Sequence, residues 1–196
     1  MHNTGDNEMK KKYYSWQDVE RAADSIVAQM CKDQWCPEYI VGINRGGLPL
    51  AMLLSHKLDV KMYTVDIQLR DGKDNDCESN LWLAEWAFGY IDQEDRDTYK
   101  SRWDCNNRKK ILVVDDINDS GATFNWLVND WQSSCLPGED SAWNAVWDNS
   151  TRFAVMTENL ASDFHKVRYS WDEVNKAEDN SWLVWPWETD NKRGKE

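Results

Sequence analysis

Several features are scarce or missing in this sequence, and each absence removes a class of function. No apolar run approaches the ~20 residues needed for a membrane-crossing helix. Basic residues are outnumbered, 23 Lys and Arg against 35 Asp and Glu, for a net charge of −12. That balance argues against a nucleic-acid backbone or an anionic membrane surface as the main partner. The three histidines (His2, His56 and His165) are too dispersed for a metal cluster. The five cysteines (Cys31, Cys36, Cys77, Cys105 and Cys135) form no C-x-x-C pair and read as scattered reduced thiols of a cytoplasmic protein. Neither a Gly-x-x-x-x-Gly-Lys-Ser/Thr phosphate loop nor a Gly-x-Gly-x-x-Gly dinucleotide fingerprint occurs. Internal repeats and low-complexity linkers are absent too. The first twelve residues, MHNTGDNEMKKK, lack the apolar core of a secretory signal and read as a loose tail.

What is present is enough for one domain with a real core: 196 residues, 41% of them apolar. Thirteen tryptophans are unusual, and most are expected to serve packing. Ser15 precedes WQDVERAADSIVAQM, whose apolar residues at Val19, Ala22, Ala23, Ile26, Val27 and Met30 have helical spacing behind a serine cap. YIVGI (Tyr39 to Ile43) predicts a buried strand running into Asn-Arg-Gly-Gly. LPLAMLLSHKL predicts a helix that tolerates Pro49 in its first turn. VKMYTVDIQL, KKILVVDD, RFAVMT, KVRYS and WLVWP are further candidate strands, and ATFNWLVNDW a further helix. This alternation predicts an α/β fold with a mostly parallel central sheet flanked by helices. The expected domain spans 13–190, between tails at 1–12 and 191–196. Within it, 70–108 is expected to form a small inserted hood lobe and 132–150 an irregular insert. The acidic run from Asp92 to Lys100 is compatible with a lid or with an ordinary solvated face.

The informative stretch is ILVVDDINDSGATF (Ile111 to Phe124), where a buried strand runs into three aspartates and a small hydroxylated turn. In open parallel sheets, ligands sit beyond the carboxyl ends of the strands. The turn opens a helix, so the backbone N–H groups from Ser120 to Thr123, aided by two hydroxyls, suit a phosphate monoester. Asp115 and Asp116 can accept hydrogen bonds from vicinal hydroxyls, and one of them can also hold Mg²⁺. The implied ligand is a ribose carrying a 5′-phosphate. Adjacent acids at a strand end are costly without such a ligand, which weighs against a mere polar turn.

VVDDINDSGAT resembles the phosphoribosyl pyrophosphate (PRPP) signature of the type I phosphoribosyltransferases. VGINRGGLPLA resembles the loop by which they grip pyrophosphate, and WLVWPWE (Trp182 to Glu188) is similar to the ending of the bacterial xanthine–guanine branch. The resemblance implies Mg²⁺-dependent transfer of phosphoribose from PRPP to a purine base (guanine, xanthine or hypoxanthine), with release of pyrophosphate, in purine salvage. It implies that Asp115 and Asp116 bind the ribose, with Asp116 meeting Mg²⁺, and that Asp119 exchanges a proton with the purine. Ser120, Gly121, Ala122 and Thr123 would hold the 5′-phosphate. Asn44, Arg45, Gly46 and Gly47 would form the pyrophosphate loop, whose Asn44–Arg45 peptide is often cis in the family. Trp182 would stack on the base and the Leu183 backbone would read its edge. Where the family's purine-selective lysine is expected, after the strand RFAVMTEN, this chain has Asn159, whose amide would meet the base in its place. Two alternatives share the fold: a PRPP-binding regulatory module, and a transferase for a base other than a 6-oxopurine. PRPP and a nucleobase are the expected partners, with no nucleic acid or membrane. A homo-oligomer, dimer or tetramer, is expected by analogy.

Overall fold

The computed structural model describes residues 10–69, 77–78, 81–90, 103–134 and 140–188. Five parallel strands form the central sheet: β2 (Tyr39–Asn44), β3 (Lys61–Asp66), β4 (Ile111–Asn118), β5 (Thr151–Asn159) and β6 (Val167–Val174). Their spatial order is β3-β2-β4-β5-β6. A second, two-stranded parallel sheet pairs β1 (Lys11–Tyr13) with β7 (Trp182–Val184).

Both faces of the central sheet are covered, so its strands are apolar on both sides. Alternate residues feed two cores. Val41, Ile43, Ile111, Val113, Phe153 and Val155 pack on one face with α3 (Leu81–Phe88) and α4 (Ala122–Ser134). Ile40, Leu112, Val114, Ala154 and Met156 pack on the other with α1 (Trp16–Lys32) and α2 (Leu48–Leu58). The expected cap of α1 forms a full capping box: Asp18 N donates to Ser15 Oγ at 3.2 Å, and Ser15 N donates to Asp18 Oδ2 at 2.8 Å. Val19, Ala22, Ala23, Ile26 and Met30 are buried as the spacing predicts.

Three expectations need revision. Within 70–108, the described helix α3 supplies a core layer, because its Leu83, Ala84, Ala87 and Phe88 are fully buried. A short apolar helix flanked by charged runs looks like an insert in sequence, yet only the core can take up its apolar surface. The acidic run 92–100 lies outside the described residues. The described part of 132–150 also belongs to the core: Trp143 stacks on Trp147, which stacks on Trp131, at ring separations of 5.2 and 5.9 Å. Last, Lys11 and Lys12 of the supposed tail belong to β1. The layer standing over the carboxyl ends of the sheet is therefore β1–β7. It is fastened by Lys12 Nζ and Tyr14 Oη, each donating to Asp172 Oδ2 at 2.5 Å, and by Tyr14 stacking on Trp185 at 4.6 Å.

Phe88 tests the reassignment of α3. Its ring meets Trp143 at 5.0 Å and Trp103 at 5.3 Å. Phe88→Ala is expected to cost about 3–5 kcal/mol in urea unfolding, as for a core aromatic. A loss below about 1 kcal/mol would place α3 outside the core.

Candidate active site

The site originates where two neighbouring strands part. β2 and β4 are paired only from Tyr39↔Ile111 to Gly42↔Val114. Beyond that, β2 stays with β3 as far as Asn44↔Asp66, while β4 stays with β5 as far as Asn118↔Glu158. The crevice between them is the point at which strand order reverses, where open α/β sheets bind ligands. It opens into a cleft of about 1160 Å³.

One wall is the turn after β2. The Asn44–Arg45 peptide is cis. Gly46 lies so close to the acidic end of β4 that a Cβ there would stand 2.2 Å from Asp116 Oδ2. A Cβ on Gly47 would stand 2.3 Å from the Val114 carbonyl oxygen. The backbone leaves no room for a side chain at Gly47, and one at Gly46 would have to displace the Asp116 carboxylate. The floor is β4 itself, which continues through Asp115 and Asp116, so both acids lie on the strand and are buried to 9% exposure. Asp116 N donates to Asp115 Oδ1 at 2.9 Å, which orients the first carboxylate.

The opposite wall is the turn from Asp119 to Gly121 and the start of α4. Gly121 has φ +85°, a left-handed conformation that glycine adopts without strain. The turn is anchored from below. Asp163 N donates to the Ser120 carbonyl at 3.2 Å, and Asn118 Nδ2 donates to the Phe164 carbonyl at 2.9 Å. Ser162 Oγ in turn donates to Asn118 Oδ1 at 3.0 Å. With its frame fixed, the first turn of α4 presents amides that an α-helix cannot satisfy internally. They give the cleft the anion-binding end of a helix dipole.

A smaller cavity of about 410 Å³ adjoins the cleft and shares Asp119, Ser120 and Trp182 with it. Buried Asn159 organises it. Its Nδ2 donates to the Asp119 carbonyl at 2.8 Å, and its Oδ1 accepts from Ala161 N at 3.1 Å and Lys176 N at 3.0 Å. Asn159 is thus a strut, its amide taken up by protein groups. The nearby cation is Lys176, in the turn after β6, whose Nζ donates to Asp119 Oδ2 at 2.9 Å.

Of the sequence-derived residues, Asn44, Arg45, Gly46, Asp115, Asp116, Asp119, Ser120, Gly121, Ala122, Thr123 and Trp182 all line the cleft. Gly47 lies beneath the turn, and the Leu183 side chain is buried in the second core. Sequence reasoning missed Lys176 as well as Lys11, Trp187 and Glu188, which line the cleft from the β1–β7 layer or just beyond it.

Behind the Asp119 turn, Glu158 Oε1 accepts from Asn118 Nδ2 at 2.9 Å. Burial pushes the Glu158 carboxyl up to about 7; the Asn118 hydrogen bond opposes the rise and the nearby Glu173 charge adds to it.

The described chain matches the phosphoribosyl transferase domain model over residues 9–129, more than half of its length. No curated protein matches it significantly. Among solved structures, a purine phosphoribosyltransferase from Pyrococcus horikoshii is 20% identical, with a TM-score of 0.59 over 92% of this chain and 95% of that one. The xanthine-guanine-hypoxanthine phosphoribosyltransferase of Helicobacter pylori gives the same four values. A hypothetical protein from Neisseria gonorrhoeae, solved with bound ppGpp, is 16% identical, with a TM-score of 0.57 over 93% and 92%. These likenesses establish the fold, a mostly parallel sheet flanked by helices. The chain belongs to the phosphoribosyltransferase family, and that match supports an enzyme.

Glu158 gives the site a pH signature. Between its ordinary value of 4.5 and about 7, the folded state keeps a proton that the unfolded chain has lost, so this group lowers stability as pH rises through that window. Glu158→Gln retains an acceptor for Asn118 and removes the buried charge. Thermal melts should show the variant gaining on wild type from pH 5 to pH 8. A constant offset across that range would mean that Glu158 ionises normally.

Proposed function

We propose that this protein transfers phosphoribose from PRPP to a purine base, releasing pyrophosphate in a Mg²⁺-dependent reaction. The observation that carries this reading is the convergence, across one crevice, of the Arg45–Gly47 turn, the buried Asp115–Asp116 pair and the amide-rich start of α4. A sugar bearing phosphate groups at both ends and hydroxyls between them matches that order of donors and acceptors.

In this reading, the amides and hydroxyls from Ser120 to Thr123 hold the 5′-phosphate, while Asp115 and Asp116 accept from the ribose hydroxyls. Arg45 and the backbone of Gly46 face the pyrophosphate. A ring nitrogen of the base forms a bond to C1′ as the bond from C1′ to pyrophosphate breaks, and Asp119 takes the ring proton. Arg45 stabilises the charge that collects on the leaving group, and the carboxylates tolerate the positive charge building on the sugar.

The residues fit a divalent cation that shares its ligands with the substrate. Asp116 Oδ2 projects to the Gly46 turn, into space that a Cβ would fill, and the donors there are hard oxygens. Among the described residues, no group of three or more His, Cys, Asp or Glu could cage a metal without such help. When bound, Mg²⁺ would supply charge neutralisation for pyrophosphate.

The test is to incubate the protein with PRPP, Mg²⁺ and a panel of nucleobases and follow nucleotide and pyrophosphate by chromatography. Nucleotide from guanine, xanthine or hypoxanthine is expected. Turnover on pyrimidines alone defeats the purine reading, and PRPP binding without turnover on any base favours a regulatory module. Asp119→Asn is expected to lower turnover by ~10²-fold or more with PRPP affinity nearly intact. Gly46→Ala forces a methyl against Asp116 and should weaken PRPP binding by about tenfold or more in calorimetry, since misplacement of this kind is costly. Normal affinity in that variant would remove the turn from the site.

A further inference from the structure

Beneath the turn assigned to the 5′-phosphate lies a carboxyl group that the transfer chemistry does not use. In the strand register Glu158 is the partner of Asn118 on β4 and of Glu173 on β6, so it sits between an amide and a second acid. Its Oε1 accepts from Asn118 Nδ2 at 2.9 Å. Its Oε2 is buried and has no hydrogen-bond partner among the described residues. A bare carboxylate oxygen, shut off from water beside another acid, favours the protonated form on both counts. Burial, with the Glu173 charge adding to it, accordingly raises the group to about 7 against the opposing Asn118 hydrogen bond.

Asn118 connects this carboxyl group to the turn. The other proton of its Nδ2 goes to the Phe164 carbonyl at 2.9 Å, and its Oδ1 accepts from Ser162 Oγ at 3.0 Å. Ser162 Oγ in turn accepts from Phe164 N at 3.2 Å. Gly121 rests directly on that frame, since a Cβ there would stand 2.6 Å from Phe164 N and 3.0 Å from Ser162 Oγ. Glu158, Asn118 and the Ser162–Phe164 segment thus form one continuous support under the amides of Ser120 to Thr123.

A negative charge on Glu158 stands behind a site built for an anion and opposes its filling; an anion in the turn equally favours the neutral carboxyl group. The surrounding charges are otherwise engaged. Asp119 pairs with Lys176, and Asp172 accepts from Lys12 and Tyr14. The first turn of α4 carries no acid or base. Asp163, His165 and Lys166, between β5 and β6, make no hydrogen bond or ion pair with Glu158 among the described residues.

We propose that Glu158 is a positioning residue for the 5′-phosphate turn, and that a phosphate monoester binding there draws a proton from solvent onto its carboxyl group. The proposal rests on the phosphate placement of the transferase reading and adds to it a group through which pH sets the affinity.

The test is calorimetric titration of ribose 5-phosphate, and of PRPP with Mg²⁺ and no base, at pH 7.5 in two buffers of unlike ionisation enthalpy, which counts the protons exchanged. A monoester has already lost its second proton there, with a pKa of about 6, so uptake belongs to the protein. Wild type is expected to take up about 0.4 proton per site, and its affinity to fall about fivefold from pH 6 to pH 8 relative to Glu158→Gln. That variant keeps an acceptor for Asn118 and cannot ionise, so it should take up none. No uptake by wild type at pH 7.5, a reading that needs no variant, overturns the proposal, as do equal proton counts in the two proteins. A variant weakened equally at every pH indicates a merely structural role and overturns it too. In each of these cases nucleotide formation on a purine leaves the transferase reading standing. Glu158-dependent uptake with ribose 5-phosphate but no turnover on any base removes that reading and keeps the assignment of Glu158. Failure of both ligands to bind removes both.

Discussion

The parting of β2 from β4 after Gly42 and Val114 is the constraint on which the rest depends. Two parallel strands that stop pairing leave backbone groups and side chains unclaimed at the strand ends, and here the sequence fills that gap with two glycines on one side and two aspartates on the other. The glycines allow the turn to come down onto β4, and the aspartates occupy the floor that results. The two halves meet closely: the Gly46 backbone lies against the Asp116 carboxylate, and Asp116 N donates to Asp115 Oδ1.

Burial of two adjacent carboxylates is the crevice's main electrostatic feature. Asp115 and Asp116 are adjacent and almost inaccessible, which costs free energy in a medium of low polarity. On the proposed reading, hydroxyl donors and a cation in the cleft would offset that cost. The opposite wall supplies the complementary sign through the start of α4. The anchoring chain from Ser162 through Asn118 to Phe164 keeps those amides aimed without borrowing a group from the ligand side.

Legibility followed the range of the interactions. The α1 cap, the glycine turn and the Asp-Asp-x-x-Asp-Ser-Gly stretch are short in sequence and carry their own chemistry, and the structure brings their residues to one cleft. The β1–β7 layer was illegible because its pairing joins opposite ends of the described residues, and Lys11 and Lys12 look like solvated tail until Trp182 and Leu183 are placed beside them. α3 was legible as a short helix but not as a core element, because the charged runs on either side make it look like an insert. Lys176 sits in a polar turn with no pattern around it, so only the buried Asn159 reveals its position. Asn159 itself drew attention for a good reason, as the residue in the place of an expected lysine, but its amide serves the framework.

The β1–β7 layer has a consequence for how the protein matures. Its two strands are the first and last elements of the described chain, so they can pair only once Val184 has been made, after the five-stranded sheet is complete at Val174. A nascent chain would thus hold an open, acid-lined trough only over the short stretch of synthesis that separates β6 from β7.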